Sequence, residues 1–176
     1  MAGVTDSRSI REGGAEANEA HNGRVRLSAR VDYALRAVVE LASAAGGPDK
    51  PVTADALAQA QGIPPKFLES ILLQLRRGGV VNAQRGPEGG YWLARPAEAI
   101  SLAEVIRVID GPLANVRGQR PEKLGYAGTA QALQDVWIAL RATEREILEL
   151  VSVADVARGK LPKRVRTLAA DPKAWI

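Results

Sequence analysis

The fold class predicted for this chain is mainly α with a small β-hairpin, arranged as a compact N-terminal domain followed by a long C-terminal helix. Three observations predict it. Two short helical patterns are separated by little more than Gly62 and Ile63, a Gly-rich hairpin pattern follows them directly, and the last third of the chain carries one long apolar run at helical spacing.

Residues 1–23 are rich in Gly, Ala, Asn and Glu without any period and are expected to form a disordered extension. Structure is expected from about Arg24. Ser28 can cap a helix in which Val31, Ala34, Leu35, Val38, Leu41 and Ala42 share one face, and Gly46-Gly47-Pro48 ends it. Thr53 then caps a short helix over Ala54 to Ala60, with Leu57 inward and Gly62 and Pro64 as stops. A second helix opens on Pro64 or Pro65, both tolerated in a first turn. Its expected core face is Phe67, Leu68, Ile71, Leu72 and Leu75, up to Gly78-Gly79.

This pair reads as a helix-turn-helix, whose second helix can enter a DNA major groove, or as an ordinary helical hairpin. The next segment favours the first reading. Val80 to Gln84 and Tyr91 to Ala94 read as two strands joined by Arg85-Gly86-Pro87-Glu88-Gly89-Gly90, a wing whose Gly-rich tip bears one arginine. A winged helix-turn-helix domain over residues 24–98 is therefore expected.

Ser101 and Glu104 suggest a capping box opening a helix that Asp110-Gly111-Pro112 ends, and a loop follows over 112–128. The longest helical pattern runs from Thr129 to about Arg158. Leu133, Trp137, Leu140, Ile147, Val151 and Ala154 keep the spacing of a coiled-coil seam, interrupted by Glu144. A helix of about 30 residues spans roughly 45 Å, more than a small domain covers, so a second copy is its simplest partner. Residues 99–158 are thus expected to form a linker helix, a loop and a dimerisation helix, and 159–176 a basic tail.

Composition narrows the function. The 176 residues contain no cysteine and one histidine, His21, which lies in the polar extension. Thiolate nucleophiles, disulfides, Cys-based metal sites and His-dependent catalytic sets are excluded for the domain, so an enzyme is not expected. No apolar run approaches the roughly 18 residues of a membrane span, and the first twenty residues lack a signal-peptide core, which points to the cytoplasm. The net charge of +4 suits an anionic partner. Ten basic against six acidic side chains between Arg24 and Arg95 place that charge on the winged domain.

Several segments are specific when taken together: Arg26-Leu27-Ser28, Asp32-Tyr33-Ala34-Leu35-Arg36-Ala37, Leu75-Arg76-Arg77-Gly78-Gly79-Val80-Val81, Arg85-Gly86-Pro87-Glu88-Gly89-Gly90-Tyr91, Ile100-Ser101-Leu102-Ala103-Glu104 and Asp110-Gly111-Pro112-Leu113. With them the chain resembles the Rrf-type winged helix-turn-helix transcription regulators, the group of IscR, NsrR and CymR, over almost everything after residue 25. The resemblance implies a homodimer on double-stranded DNA, most simply a repressor on an inverted-repeat operator. It implies DNA contacts at Lys66, Glu69 and Ser70 of the second helix, at Arg85 in the wing, and along the backbone at Ser28 and Tyr33. Glu can accept from a cytosine amino group, Lys can reach phosphate or guanine, and Arg suits the minor groove.

Cluster-bearing members resemble one another in placing three cysteines after the position of Gly111, where this chain has none. Asp32 matches a position that can supply an oxygen ligand in some members, but a lone carboxylate holds no iron–sulfur cluster; pairing with an arginine or capping nearby amides is its expected role. No cofactor or metal is therefore expected. The signal is instead a small molecule or a regulatory protein partner. Trp92, Tyr126 and Trp137 form a speculative effector pocket, or are plain core. The alternative from another class is a winged-helix module that contacts proteins and not DNA.

Overall fold

The computed structural model describes residues 27–175. The extension at 1–23, with His21, and the expected start at Arg24 lie outside the described residues.

Helix α1 (Ala29–Ser43) begins where Ser28 accepts the Val31 amide on Oγ at 3.1 Å. Val31, Ala34, Ala37, Val38 and Leu41 recur every three or four residues, so one face is fully buried. That face is the wall on which the rest of the domain packs. Helix α2 (Ala54–Gln61), capped by Thr53, lays Leu57 and Ala58 against it and ends at Gly62 in the left-handed region, φ 60°. The Ile63 amide returns to the Ala58 carbonyl at 2.9 Å and the buried Ile63 side chain plugs the corner. Helix α3 (Pro65–Arg77) leaves this corner with Pro64 extended and Pro65 in its first turn. Leu68, Ile71, Leu72 and Leu75 are fully buried, each stabilising the fold by about 1.5–3 kcal/mol.

Strands β1 (Val81–Gln84) and β2 (Gly90–Leu93) pair antiparallel in the register Val81 with Leu93 and Gln84 with Gly90. Val52 adds a third rung, exchanging two hydrogen bonds with Tyr91 at 2.9 and 2.8 Å. The wing is thereby fixed to the segment that precedes α2.

Helix α4 (Leu102–Asp110) starts at Ser101, whose Oγ accepts from the Glu104 amide at 3.2 Å. Only this half of the expected capping box forms. The Glu104 carboxylate turns instead to Arg95 at the end of the wing, because a charge-assisted bond between two ions is stronger than one to a neutral amide. Ile100 and Val105 join the α1–α3 core.

The largest departure from the sequence reading is in the long helix. Helix α5 spans Leu133–Leu150, 18 residues, after short 3-10 turns at Pro121–Lys123 and Gly128–Ala130. It does not continue to Arg158. Val151 is extended, its carbonyl taking the Leu102 amide at 3.0 Å, while the Val153 amide reaches the Ile100 carbonyl at 2.9 Å. Ser152 and Asp155 then form a reciprocal capping box that opens a new helix, α6 (Val153–Ala157). Val151, Val153 and Ala154 are buried within this chain and do not extend a seam. The expected tail also contains helix α7 (Lys163–Ala169), tied to α5 by Arg164 on Glu146.

The seam itself is redistributed. Trp137, Arg141, Glu144 and Leu148 are half-buried against their own chain, whereas Leu133, Val136, Leu140 and Leu150 are exposed, Val136 by 54%. Together with half-buried Ile147, the exposed residues fall at spacings of three, four, seven and three, those of one helix face. Trp137 therefore belongs to the inward side and Val136 to the outward one.

Candidate nucleic-acid interface

On α3, Lys66, Glu69 and Ser70 follow each other at three- and four-residue spacing and so share one face, opposite Leu68, Ile71, Leu72 and Leu75. All three are exposed. The helix is held at its flank by Arg30 of α1, which donates to the Gln74 side chain at 2.8 Å. Ser70 spends its hydroxyl proton on the Phe67 carbonyl, 2.9 Å away, leaving only acceptor capacity outward.

Arg85 is exposed immediately after β1, at the base of the hairpin tip. A Cβ on Gly89 would lie 2.3 Å from the Gln84 carbonyl oxygen, so only glycine permits this tight return. Among the described residues, neither Lys66 nor Arg85 forms an ion pair, although seven other arginines do. Lys66 belongs to the outward row of α3, and Arg85 stands exposed on the wing that follows it.

Ser28 is the α1 cap. Tyr33 is half-buried, its ring 6.3 Å from that of Phe67 at 52°, with the Arg36 guanidinium 5.8 Å from its centroid on α1. Asp32 pairs with Arg36 at 3.3 Å, the arginine partner expected for it. Phe67 was expected in the core and is 53% exposed. At about 100° per residue it sits on the flank of α3, between the outward row and α1, and not on the side of Leu68 and Leu75.

The expected aromatic set is only partly assembled. Trp137 donates to the Tyr126 hydroxyl oxygen at 3.1 Å. Trp92 faces Asn82 across the hairpin, and no ring contact among the described residues joins it to the other two. Near that pair, Arg141 reaches Glu122 at 2.8 Å. Glu144 has Oε2 shut off from solvent without a hydrogen-bond partner, and burial pushes its carboxyl above the ordinary range, against the pull of Arg141. Arg107 of α4, followed by Arg145, holds the Glu149 carboxyl below its ordinary range and tethers α5 to α4.

A helix pair carrying an outward polar row, followed directly by an Arg-bearing wing, defines a winged helix-turn-helix DNA-binding protein of the transcription-regulator class. The chain belongs to the Rrf2 family, described as iron-dependent transcriptional regulators, whose model matches residues 27–159. It is 53% identical over 150 residues to a Mycobacterium tuberculosis H37Rv protein named "Putative HTH-type transcriptional regulator Rv1287", covering 85% of this chain and 92% of the relative. It is also 32% identical to the HTH-type transcriptional regulator IscR of Cereibacter sphaeroides, covering 78% and 90%. Among solved structures it is similar to CymR, the global cysteine regulator of B. subtilis, with a TM-score of 0.65 and 27% identity over 77% of this chain and 98% of that one. IscR of T. potens follows at 0.61 and 25%, covering 86% and 97%. The curated relatives carry the names of HTH-type transcriptional regulators.

The family description names iron, but the donors needed for an iron–sulfur cluster are not in this chain. It has no cysteine, and the stretch 111–128 offers Glu122 as its single carboxylate and no histidine. Among the described residues no three or more His, Cys, Asp or Glu converge as metal ligands. Such clusters are held by thiolates, with imidazole as partial substitute, so these residues do not fit one.

Proposed function

We propose that this protein is a homodimeric repressor that binds an inverted-repeat operator in the cytoplasm and answers to a signal other than an iron–sulfur cluster. The observation that carries the reading is the exposed polar row Lys66, Glu69 and Ser70 on α3, opposite its buried face and followed directly by a wing with Arg85 exposed at its tip. In this reading α3 enters the major groove, with Glu69 accepting from a cytosine amino group and Lys66 reaching guanine or phosphate. Ser70 offers its lone pairs to a base amino group, Arg85 enters the minor groove or grips phosphate, and Ser28 and Tyr33 lie along the backbone.

Dimerisation rests on α5. Leu133, Val136, Leu140 and Leu150, with half-buried Ile147, form an apolar stripe that its own chain leaves largely uncovered, and a two-fold copy buries both stripes at once. Two reading heads then meet half-sites about one helical turn, roughly 34 Å, apart or a multiple of it. A compact dimer over a promoter blocks polymerase without further contacts, which favours repression. The signal is a small molecule or a regulatory protein acting at the loop that Tyr126 and Trp137 pin to α5. Trp92 joins that pocket only if the wing strand is drawn towards it.

The reading is tested on the full chain. Duplexes selected from a random pool are expected to share a palindrome, and the affinity is expected to fall steeply with salt. Arg85→Ala is expected to weaken binding, lowering the salt slope by about 1 if the contact is to phosphate. Leu140→Glu is expected to give a folded monomer in sedimentation and to lose the operator. Equal affinity for all duplexes at low salt, or a monomeric wild-type chain, overturns it.

A further inference from the structure

We infer that Phe67 is a base-reading side chain that meets the C5-methyl group of a thymine in the major groove. The inference rests on the DNA-binding reading above and adds to it a residue that sequence patterning had placed in the core. Phe67 is the single phenylalanine of the chain, and it stands 53% exposed in the first turn of α3, beside Lys66 and about one turn before Ser70. An apolar ring gains nothing from facing water, and the core of α3 is complete without it.

The ring is also held in place. Tyr33 abuts it at 6.3 Å with a 52° tilt, and Arg36 backs Tyr33 at 5.8 Å. Arg36 is in turn fixed by Asp32 at 3.3 Å and by Gln61 at 3.5 Å, and Gln61 donates to Glu40 at 2.6 Å. This row runs from α1 through the end of α2 to the flank of α3 and supports the ring from the protein side only. Its outer face is left to an occupant that arrives with whatever α3 binds.

The chemistry of the groove supplies that occupant. Lys66 suits the acceptors of guanine and Glu69 the amino group of cytosine, but neither reads the C5-methyl group by which the major groove marks thymine. Ser70 cannot act as a hydroxyl donor here, because its proton goes to the Phe67 carbonyl. An aromatic flank on the same helix end is the apolar complement that the polar row lacks.

The test uses the wild-type chain and the palindrome it selects. Each thymine is replaced by deoxyuridine in symmetric pairs, which deletes one methyl per half-site and leaves every hydrogen bond intact. At one position the wild type is expected to lose about fourfold in affinity per half-site, the value of one buried methyl. Phe67→Ala is expected to be indifferent to the same replacement and to accept cytosine there, while Phe67→Leu retains part of the sensitivity. Indifference of the wild type to deoxyuridine throughout the operator overturns the inference without any variant having to fold. So does undiminished sensitivity in Phe67→Ala. Failure to select any operator overturns the DNA-binding reading itself, a result distinct from an operator without a methyl-sensitive position.

Discussion

Trp137 on α5 donates its indole N–H to the phenol oxygen of Tyr126 at 3.1 Å, so the loop between α4 and α5 is stitched to the inward side of α5. Glu122 on Arg141 at 2.8 Å is a second stitch. Tyr126→Phe keeps the ring and removes the acceptor, and is expected to lower the unfolding free energy by about 1 kcal/mol in urea denaturation. A shift in tryptophan emission should accompany it, since one of the three indoles loses its partner.

The wing depends on a close backbone approach. A Cβ at position 90 would lie 2.6 Å from the Val52 carbonyl oxygen, inside the rung that ties Val52 to Tyr91. Gly90→Ala is therefore expected to destabilise by about 1–3 kcal/mol. At Gly47 a Cβ meets nothing within 4 Å, and Gly47→Ala is expected to stay within about 0.5 kcal/mol of wild type. Thermal unfolding of the two variants side by side checks the contrast.

Ser152→Ala removes the cap that breaks the C-terminal helical pattern, and about 1 kcal/mol of stability with it. Its pH dependence is fixed in sign. Hydrogen bonds from the Ser152 side chain, then from its amide, hold the Asp155 carboxyl below its ordinary value of 3.8. The stabilisation is present above that value and disappears as pH falls through the lowered one. The gap between variant and wild type should therefore narrow in acid denaturation profiles below about pH 4.

Glu144 has the opposite sign. Burial raises its carboxyl above 4.5, so the folded state holds its proton more tightly than the unfolded chain. Below 4.5 no penalty is felt; it develops as pH rises above 4.5 towards and through the folded value. Glu144→Gln is expected to raise the melting temperature at pH 7 and to leave it unchanged at pH 3.5. A loss of stability at pH 7 would contradict this.

Much of this architecture was readable from residue spacing. Val31 to Leu41, Leu68 to Leu75 and the Gly-rich wing announce themselves because burial selects apolar residues at a fixed period and turns select glycine. Two places were not readable in that way. Helical spacing groups Phe67 with Leu68, Ile71, Leu72 and Leu75, yet its position about 100° from Lys66 leaves it at the edge of that face, on a flank. The break after Leu150 was hidden because Val151 and Ala154 continue the heptad, even though Ser152-Val153-Ala154-Asp155 is a capping signature in plain view. The two polar residues won because their side chains satisfy amides that a continuous helix would otherwise bond, while Ile100 and Leu102 take the freed backbone of Val151 and Val153. The helix at Lys163–Ala169 was masked by the density of charge around Val165 and Leu168.

Val153 is wholly buried in the same cluster as Ala34, Val38 and Leu41 of α1. A shortened chain that stopped at Leu150, or at the end of the wing strands, would leave a hole in the wall behind α3 and expose apolar surface that water cannot satisfy. The reading head is thus not a detachable module: its rear panel is supplied by residues more than a hundred positions downstream of its first helix.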